Sequence, residues 1–212
     1  MEYEKINPDT WPRGEIFRYY MRDARLVMSL TVDVDVTVLR SYIRAKGMKF
    51  YPAMIWAVSR AVNAQEAFRY ALNDSGELIL WHTVSPYYAH FHPEDEQFTR
   101  ICTPYTEDLK AFHARFLRDR ERFDDKRGFE IEAPPNVFDV SCLPWVRYRH
   151  FDVQVFDDGK FLAPTVVWGK YEEENGKWIL PMTMRIHHAV ADGFHLARFF
   201  ADVQHYINNP ED

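Results

Sequence analysis

The sequence predicts an α+β fold: a mixed, largely antiparallel sheet with helices packed on one face. Three observations carry that expectation. Segments with two-residue alternation come in groups, whereas a parallel sheet needs a helix between successive strands. Four other segments carry the apolar spacing of helices that bury one side. The 212 residues, 47% apolar and 27% charged, suffice for one sizeable core, and no repeat, low-complexity linker or composition shift divides them. The whole chain, 1–212, is therefore expected to be a single domain.

In chain order, residues 27–34 alternate as a strand. Asp35-Val36-Thr37 then opens a short helix through Val38, Leu39, Tyr42 and Ile43, which Gly47 stops. Pro52 suits the first turn of a stronger helix, with Met54, Ala57, Val58, Ala61 and Val62 on one side. The turn Asn73-Asp74-Ser75-Gly76 leads into a strand at 77–81, and an aromatic-rich strand at 84–92 ends at Pro93. A third helix is expected from Thr106, with Glu107 and Asp108 in a first turn that favours acids, and Leu109, Phe112, Phe116 and Leu117 facing inward. Residues 124–136, with Pro134-Pro135, read as an extended loop. Strands follow at 137–142, 152–155, 162–171 and 178–186. The last two face each other across Glu172-Glu173-Glu174-Asn175-Gly176, a hairpin-like connection. Asp192 caps the final helix, which carries Leu196, Phe199, Phe200, Val203 and Tyr206.

Charge and composition exclude several functions. With 26 Lys+Arg against 32 Asp+Glu the net charge is −6, and the basic residues are dispersed, so no nucleic-acid partner is expected. The densest basic stretch, 115–122, alternates with acids and reads as a solvated helix face. No run of 18 apolar residues predicts a membrane span, and the first residues lack the pattern of a secretory signal. Two cysteines, Cys102 and Cys142, are too few for a disulfide framework and agree with a reducing, cytoplasmic setting. An aromatic content of 16% points to thick packing, a subunit interface or an aromatic ligand pocket.

One segment is chemically distinctive: Ile186-His187-His188-Ala189-Val190-Ala191-Asp192-Gly193-Phe194-His195. A strand ends in two histidines, a tight turn follows, and a helix begins. A histidine held rigidly at a strand end is a natural general base near neutral pH. Asp192 can fix the turn by pairing with a cation, and Gly193 permits a close backbone approach. The rival reading is a metal site, since His187, His188, Asp192 and His195 are all ligand types. Adjacent strand residues point to opposite faces, however, so His187 and His188 do not easily share one ion. His90 and His92 share a strand face, but no third ligand is evident beside them, and no metal is expected.

The same segment resembles the signature of the chloramphenicol acetyltransferase family, in which H-H-A-V-C-D-G-F-H is usual. Trp11-Pro12-Arg13-Gly14-Glu15-Ile16-Phe17, Lys49-Phe50-Tyr51-Pro52, Ser141-Cys142-Leu143-Pro144-Trp145, Ala163-Pro164 and Gly169-Lys170-Tyr171 resemble further family segments, in family order. The shorter H-x-x-x-D-G is shared with dihydrolipoyl acyltransferase cores and peptide-synthetase condensation domains. The former normally carry lipoyl modules and the latter are about twice this length.

The resemblance implies an acetyl-CoA-dependent O-acetyltransferase, acting on chloramphenicol as a homotrimer with active sites between subunits. His188 would be the general base and Ser141 the donor to the oxyanion. Asp192 would pair with Arg13 in support, and His195 would support the helix start. Lys49, Tyr51, Lys170 and Tyr171 would line the coenzyme channel, and Tyr19, Tyr20, Phe98 and Val167 the acceptor pocket. Around that pocket the chain departs from the family at Ala24, Leu26, Tyr87, Arg100, Asp139 and Val167. Arg100 and Asp139 bring charge to a largely apolar place, which is costly unless they pair with each other or face solvent. Two hypotheses follow: an acetyltransferase for chloramphenicol or another small alcohol, and a non-catalytic binder of small ligands on the same scaffold. The joint presence of His188, Ser141, Arg13 and Asp192 favours the enzyme, because a binder needs no positioned base.

Overall fold

A computed structural model describes residues 2–155 and 157–211. Its main sheet has seven strands: β2 (Val27–Asp35), β5 (Ser85–His92), β6 (Gln97–Cys102), β7 (Val137–Leu143), β8 (Thr165–Gly169), β9 (Glu172–Glu174) and β10 (Lys177–His187). Their order is β2-β10-β8-β7-β5-β6, with β9 also paired to β10. The β5–β7 and β7–β8 pairs are parallel and the others antiparallel, so the sheet is mixed and largely antiparallel, as expected. A smaller sheet orders β1 (Tyr3–Lys5), β4 (Leu78–Trp81) and β3 (Tyr70–Leu72) as β1-β4-β3.

The core lies between the main sheet and its helices. In α3 (Phe50–Asn63) ten residues are buried, from Pro52 to Val62, so its apolar surface wraps most of the way round, wider than the stripe expected. α5 (Gly193–Asn208) contributes Leu196, Phe199, Phe200, Val203 and Ile207. From the sheet come Tyr88, Ile101, Phe138, Val140, Val166, Met182, Met184 and Ile186. Strand β8 and the second half of β10 are buried on both faces; β8 reads accordingly as a near-continuous apolar run, whereas β10 alternates Met182, Met184 and Ile186, which join the core, with the buried Thr183, Arg185 and His187.

Several elements differ from expectation. Helix α1 (Gly14–Arg22) was not anticipated, although Phe17, Tyr20 and Met21 stand at helical spacing and pack on the core; Gly14 and Phe17 are its fully buried residues. Strands β1, β3 and β6 were not anticipated, nor was β9. Asn175 and Gly176, at φ 51° and 79°, form the left-handed two-residue turn that suits a tight hairpin. It therefore pairs β9 with the start of β10, while β8 lies beside its middle. Residues 152–155 form no strand, because Val153 and Val155 turn outward, 43% and 40% exposed. Strand pairing within 162–171 is confined to 165–169. Helix α4 (Leu109–Arg122) starts later than Thr106, since Asp108 caps it by accepting the Ala111 N–H at 2.6 Å. The remaining helix, α2 (Thr37–Ala45), lies where expected. No helix among the described residues is long and apolar enough to cross a membrane.

Gly14 sets how closely α1 approaches the chain before it. A Cβ there would stand 1.7 Å from the Pro8 carbonyl oxygen, a backbone atom. Gly14→Ala is expected to cost about 1–3 kcal/mol of stability, read as a drop of several degrees in Tm by scanning calorimetry. An unchanged Tm would show that α1 is free to shift.

Candidate active site

The distinctive turn is built almost entirely on backbone groups. Ala189, Val190 and Ala191 are buried and anchor it in the core. The His188 N–H donates to the Leu26 carbonyl at 2.8 Å, tying the turn to the residue before β2. Arg13, at the start of α1, closes it from the other side. Its Nε donates to the Ala189 carbonyl at 3.0 Å, Nη2 to the His188 carbonyl at 2.9 Å, and Nη1 to Asp192 Oδ2 at 3.1 Å. The planar fork of a guanidinium serves three acceptors at fixed angles, which a lysine ammonium on its flexible stem does not.

Asp192 also caps α5, its Oδ1 accepting from the Phe194 N–H at 3.0 Å. His195 Nδ1 lies 2.9 Å from the same oxygen and 3.2 Å from the Asp192 backbone nitrogen, completing a capping box. Burial alone would raise the Asp192 carboxyl, but His195 and the Arg13 guanidinium beside it hold it below the usual carboxylate value. The helix-supporting place expected of His195 is the one it occupies. Gly193 differs from expectation, since a Cβ there would meet nothing within 4 Å.

His188 is half-buried, and its Nδ1 lies 2.7 Å from the Ala191 carbonyl oxygen. A carbonyl only accepts, so Nδ1 carries the proton, and in the neutral ring the lone pair sits on Nε2. The ring stacks on Tyr20, centroids 4.2 Å apart and planes at 24°, with Tyr19 edge-on to Tyr20 at 5.1 Å. Helix α1 thus holds the imidazole by both Arg13 and Tyr20. His187 is buried and serves the turn differently, its Nδ1 accepting from the Ala189 N–H at 3.1 Å. Burial, with Arg185 and His188 nearby, holds it below the ordinary imidazole pKa against the pull of Asp157.

Ser141 is elsewhere. It pairs with Val167, which pairs with Thr183, which pairs with Thr31. This row crosses the sheet face away from the helices and lies level with Thr183, five residues before His188. At about 3.4 Å per residue along β10 and about 4.8 Å per strand across, Ser141 and His188 of one chain are on the order of 20 Å apart. Phe98 and Arg100 lie on the same face, on edge strand β6. Arg100 pairs with Asp139, donates to the Tyr87 carbonyl at 2.9 Å and lies 4.1 Å over the Tyr87 ring. The two new charges therefore neutralise each other. Hydroxyls beside Val167 come from neighbours: Thr31 donates to Thr183 at 2.8 Å, Thr183 to Tyr148 at 3.2 Å, and Tyr148 to the Val167 carbonyl at 2.7 Å.

A third group gathers where β8 ends and α3 begins. The Phe50 and Tyr171 rings meet at 5.0 Å, with Lys49 and Lys170 each one residue before one of the rings. Both lysine side chains are exposed. Arg40 stacks on Trp178 at 3.6 Å and Tyr171 at 4.5 Å, which fixes the tyrosine ring. Tyr51 turns inward among Tyr88, Phe116 and Trp168 and donates to the Ala89 carbonyl at 3.0 Å. Burial pushes its phenol well above the ordinary value. The predicted residues thus fall into three groups: His188 with Arg13, Asp192, Tyr19 and Tyr20; Ser141 with Val167 and Phe98; and Lys49, Tyr51, Lys170 and Tyr171. The Leu26 and Ala191 carbonyls escaped sequence reading, because backbone acceptors leave no residue signature.

The chloramphenicol acetyltransferase family model matches residues 1–204. The chain belongs to that family. It is 39% identical to a chloramphenicol acetyltransferase of Streptomyces acrimycini, over 97% of this chain and 94% of that one. Against one from Clostridium perfringens it is 37% identical, over 99% and 100%. A solved chloramphenicol acetyltransferase superposes with a TM-score of 0.85 at 22% identity, covering 97% of this chain and all of the other, and so shares the fold.

Arg13→Ala and Asp192→Asn are expected to be non-additive in stability by at least about 0.5 kcal/mol, because each leaves the other's partner unpaired. Full additivity in denaturant titrations would show that the two side chains do not meet in solution. The Asp192 carboxyl titrates lower folded than unfolded, so its contribution is complete above the unfolded pKa and is lost as pH falls through the folded one. The Tm difference between the parent and Asp192→Asn should accordingly shrink as pH is lowered through the carboxylate range. A difference that grows with acid would contradict this.

Proposed function

We propose that this chain transfers the acetyl group of acetyl-CoA to a hydroxyl of chloramphenicol, as a homotrimer whose active sites lie between neighbouring copies. It is an acyltransferase of the chloramphenicol acetyltransferase family. The observation that carries the mechanistic reading is the His188 tautomer: Nδ1–H engaged by the Ala191 carbonyl, Nε2 left as a base. Nε2 takes the acceptor's hydroxyl proton as its oxygen bonds to the thioester carbonyl carbon. When the C–S bond breaks, the proton passes to the leaving sulfur, and no acyl-enzyme forms. Ser141 of the neighbouring copy donates to the carbonyl oxygen as it gains charge.

The separation of Ser141 from His188 within one chain supports an interfacial site, since neither group alone makes a complete centre. In this reading the acceptor lies against Tyr19 and Tyr20 of one copy and Phe98 and Val167 of the next. The coenzyme runs past Lys49, Lys170 and Tyr171, with Tyr51 backing the wall; ammonium groups suit its phosphates and rings its adenine. The Arg100–Asp139 pair removes the main objection to an uncharged aromatic acceptor, because the charge arrives already neutralised. We place the enzyme in the cytoplasm, a reducing setting in keeping with its two unpaired cysteines, Cys102 and Cys142.

Thiol release from acetyl-CoA with chloramphenicol and a panel of other alcohols tests the reading. The parent should turn over the drug, and His188→Ala should lose at least about 10²-fold in kcat. Ser141→Ala should lower kcat by about 10²–10³-fold with little change in KM. A His188→Ala variant within a few-fold of the parent would remove the base. Robust turnover of another alcohol, with none of the drug, would replace the acceptor and leave the mechanism.

A further inference from the structure

We propose that His90, His92 and Asp124 form a binding site for a divalent transition-metal ion of the zinc type. The site lies on β5, three strands across the sheet from β10 and its catalytic turn. His90 and His92, two residues apart on one strand, emerge on the same face. Both are buried, with ring centroids 4.5 Å apart. The chain beyond α4 supplies the third donor that the sequence did not reveal: Asp124 Oδ1 lies 3.2 Å from His90 Nε2. One ligand atom from each residue falls within 4.8 Å of the others. Imidazoles with a carboxylate are a zinc-type donor set, with bonds of about 2.0–2.2 Å. Closing on an ion asks for about 1 Å of movement, which Asp124, 68% exposed at its side chain, is placed to make.

The orientation of His92 points the same way. Thr99 donates its one hydroxyl proton to the Lys126 carbonyl, so its oxygen accepts from His92 Nε2–H at 2.8 Å. The neutral ring's lone pair is then on Nδ1, and Glu94 Oε1 lies 3.5 Å from that atom. A lone pair and a carboxylate facing each other repel unless a cation or proton lies between them. In that tautomer Nδ1 is the His92 atom that can bind an ion, and water would fill the fourth position beside His90, His92 and Asp124. The Nε2–H bond to Thr99 is the kind that holds metal-bound imidazoles in one tautomer. Arg127 Nη1 stands 3.4 Å from His92 Nε2. Its hydrogen bonds go to the Asp124 and Lys126 carbonyls, and Asp95 and Glu94 pair with the guanidinium. A bound ion would clip the β5–β6 hairpin to the segment after α4.

The test uses the full-length protein stripped of metal. Zn²⁺ is titrated in competition with a chromophoric chelator, and Co²⁺ is followed by its visible absorption. One tightly held ion per chain is expected, with Co²⁺ bands of four- or five-coordinate intensity. Asp124→Asn and His90→Gln should each weaken zinc binding by about tenfold or more. The metal-free Tm of Asp124→Asn should match the parent's, since that side chain is exposed. No zinc bound by the parent at about 100 μM, or equal affinity in the parent and Asp124→Asn, would overturn the site.

Discussion

The guanidinium of Arg13 is the constraint on which the rest of the site depends. It joins residues 175 to 179 positions apart and turns two carbonyls and a carboxylate toward a single point. With those carbonyls directed at Arg13, the turn is closed tightly enough for the Ala191 carbonyl to meet His188 Nδ1. The same arginine begins α1, which brings Tyr20 flat against the imidazole. One residue therefore sets the ring's tautomer, its orientation and the start of α5. The energetic weight lies in leaving nothing unpaired: removing the arginine would strand partly buried acceptors, which costs more than the net gain from making the bonds.

The sheet decides where chemistry is possible. Strands β8 and β10 are buried on both faces along most of their length, so their middles are occupied by packing. Groups fit for chemistry are pushed to strand ends, as at His188, or to the face away from the helices, as at Ser141. Those places are far apart in one chain because the register holds them level with different parts of β10. Rigid elements keep each group in position, and in the proposed reading a second copy brings the two together.

The histidine turn and its helix were legible because their signals are local: paired histidines, a capping aspartate and apolar residues at helical spacing. Helices α3 and α5 were legible for the same reason. Helix α1 was missed although Phe17, Tyr20 and Met21 mark its inner side, because a nine-residue helix has little more than two turns in which a stripe can show; besides packing on the core, it presents Arg13 and Tyr20 to the turn. Strand β6 was hidden because Phe98 and Arg100 share its outer face, which blurs the alternation. At 152–155 the alternation was present but Val153 and Val155 face outward, so pattern alone misled. The Arg100–Asp139 pair was one of two alternatives the sequence left open, and the fold decides for it; the approach of Asp124 to His90 is a contact across the fold, which no spacing encodes. The distance between Ser141 and His188 is likewise a matter of register.

The central claim is that a working centre takes its base from one copy and its oxyanion donor from the next. Mixing His188→Ala and Ser141→Ala chains, unfolding them together and refolding tests it most directly. Each variant alone is nearly inactive. If sites lie between copies, every mixed trimer regains one intact pairing of His188 with Ser141. Random assembly of equal amounts should then recover about a quarter of the parental activity per chain. If both groups serve the same chain's site, the refolded mixture will stay at the sum of the two inactive parents, and that result would contradict the account.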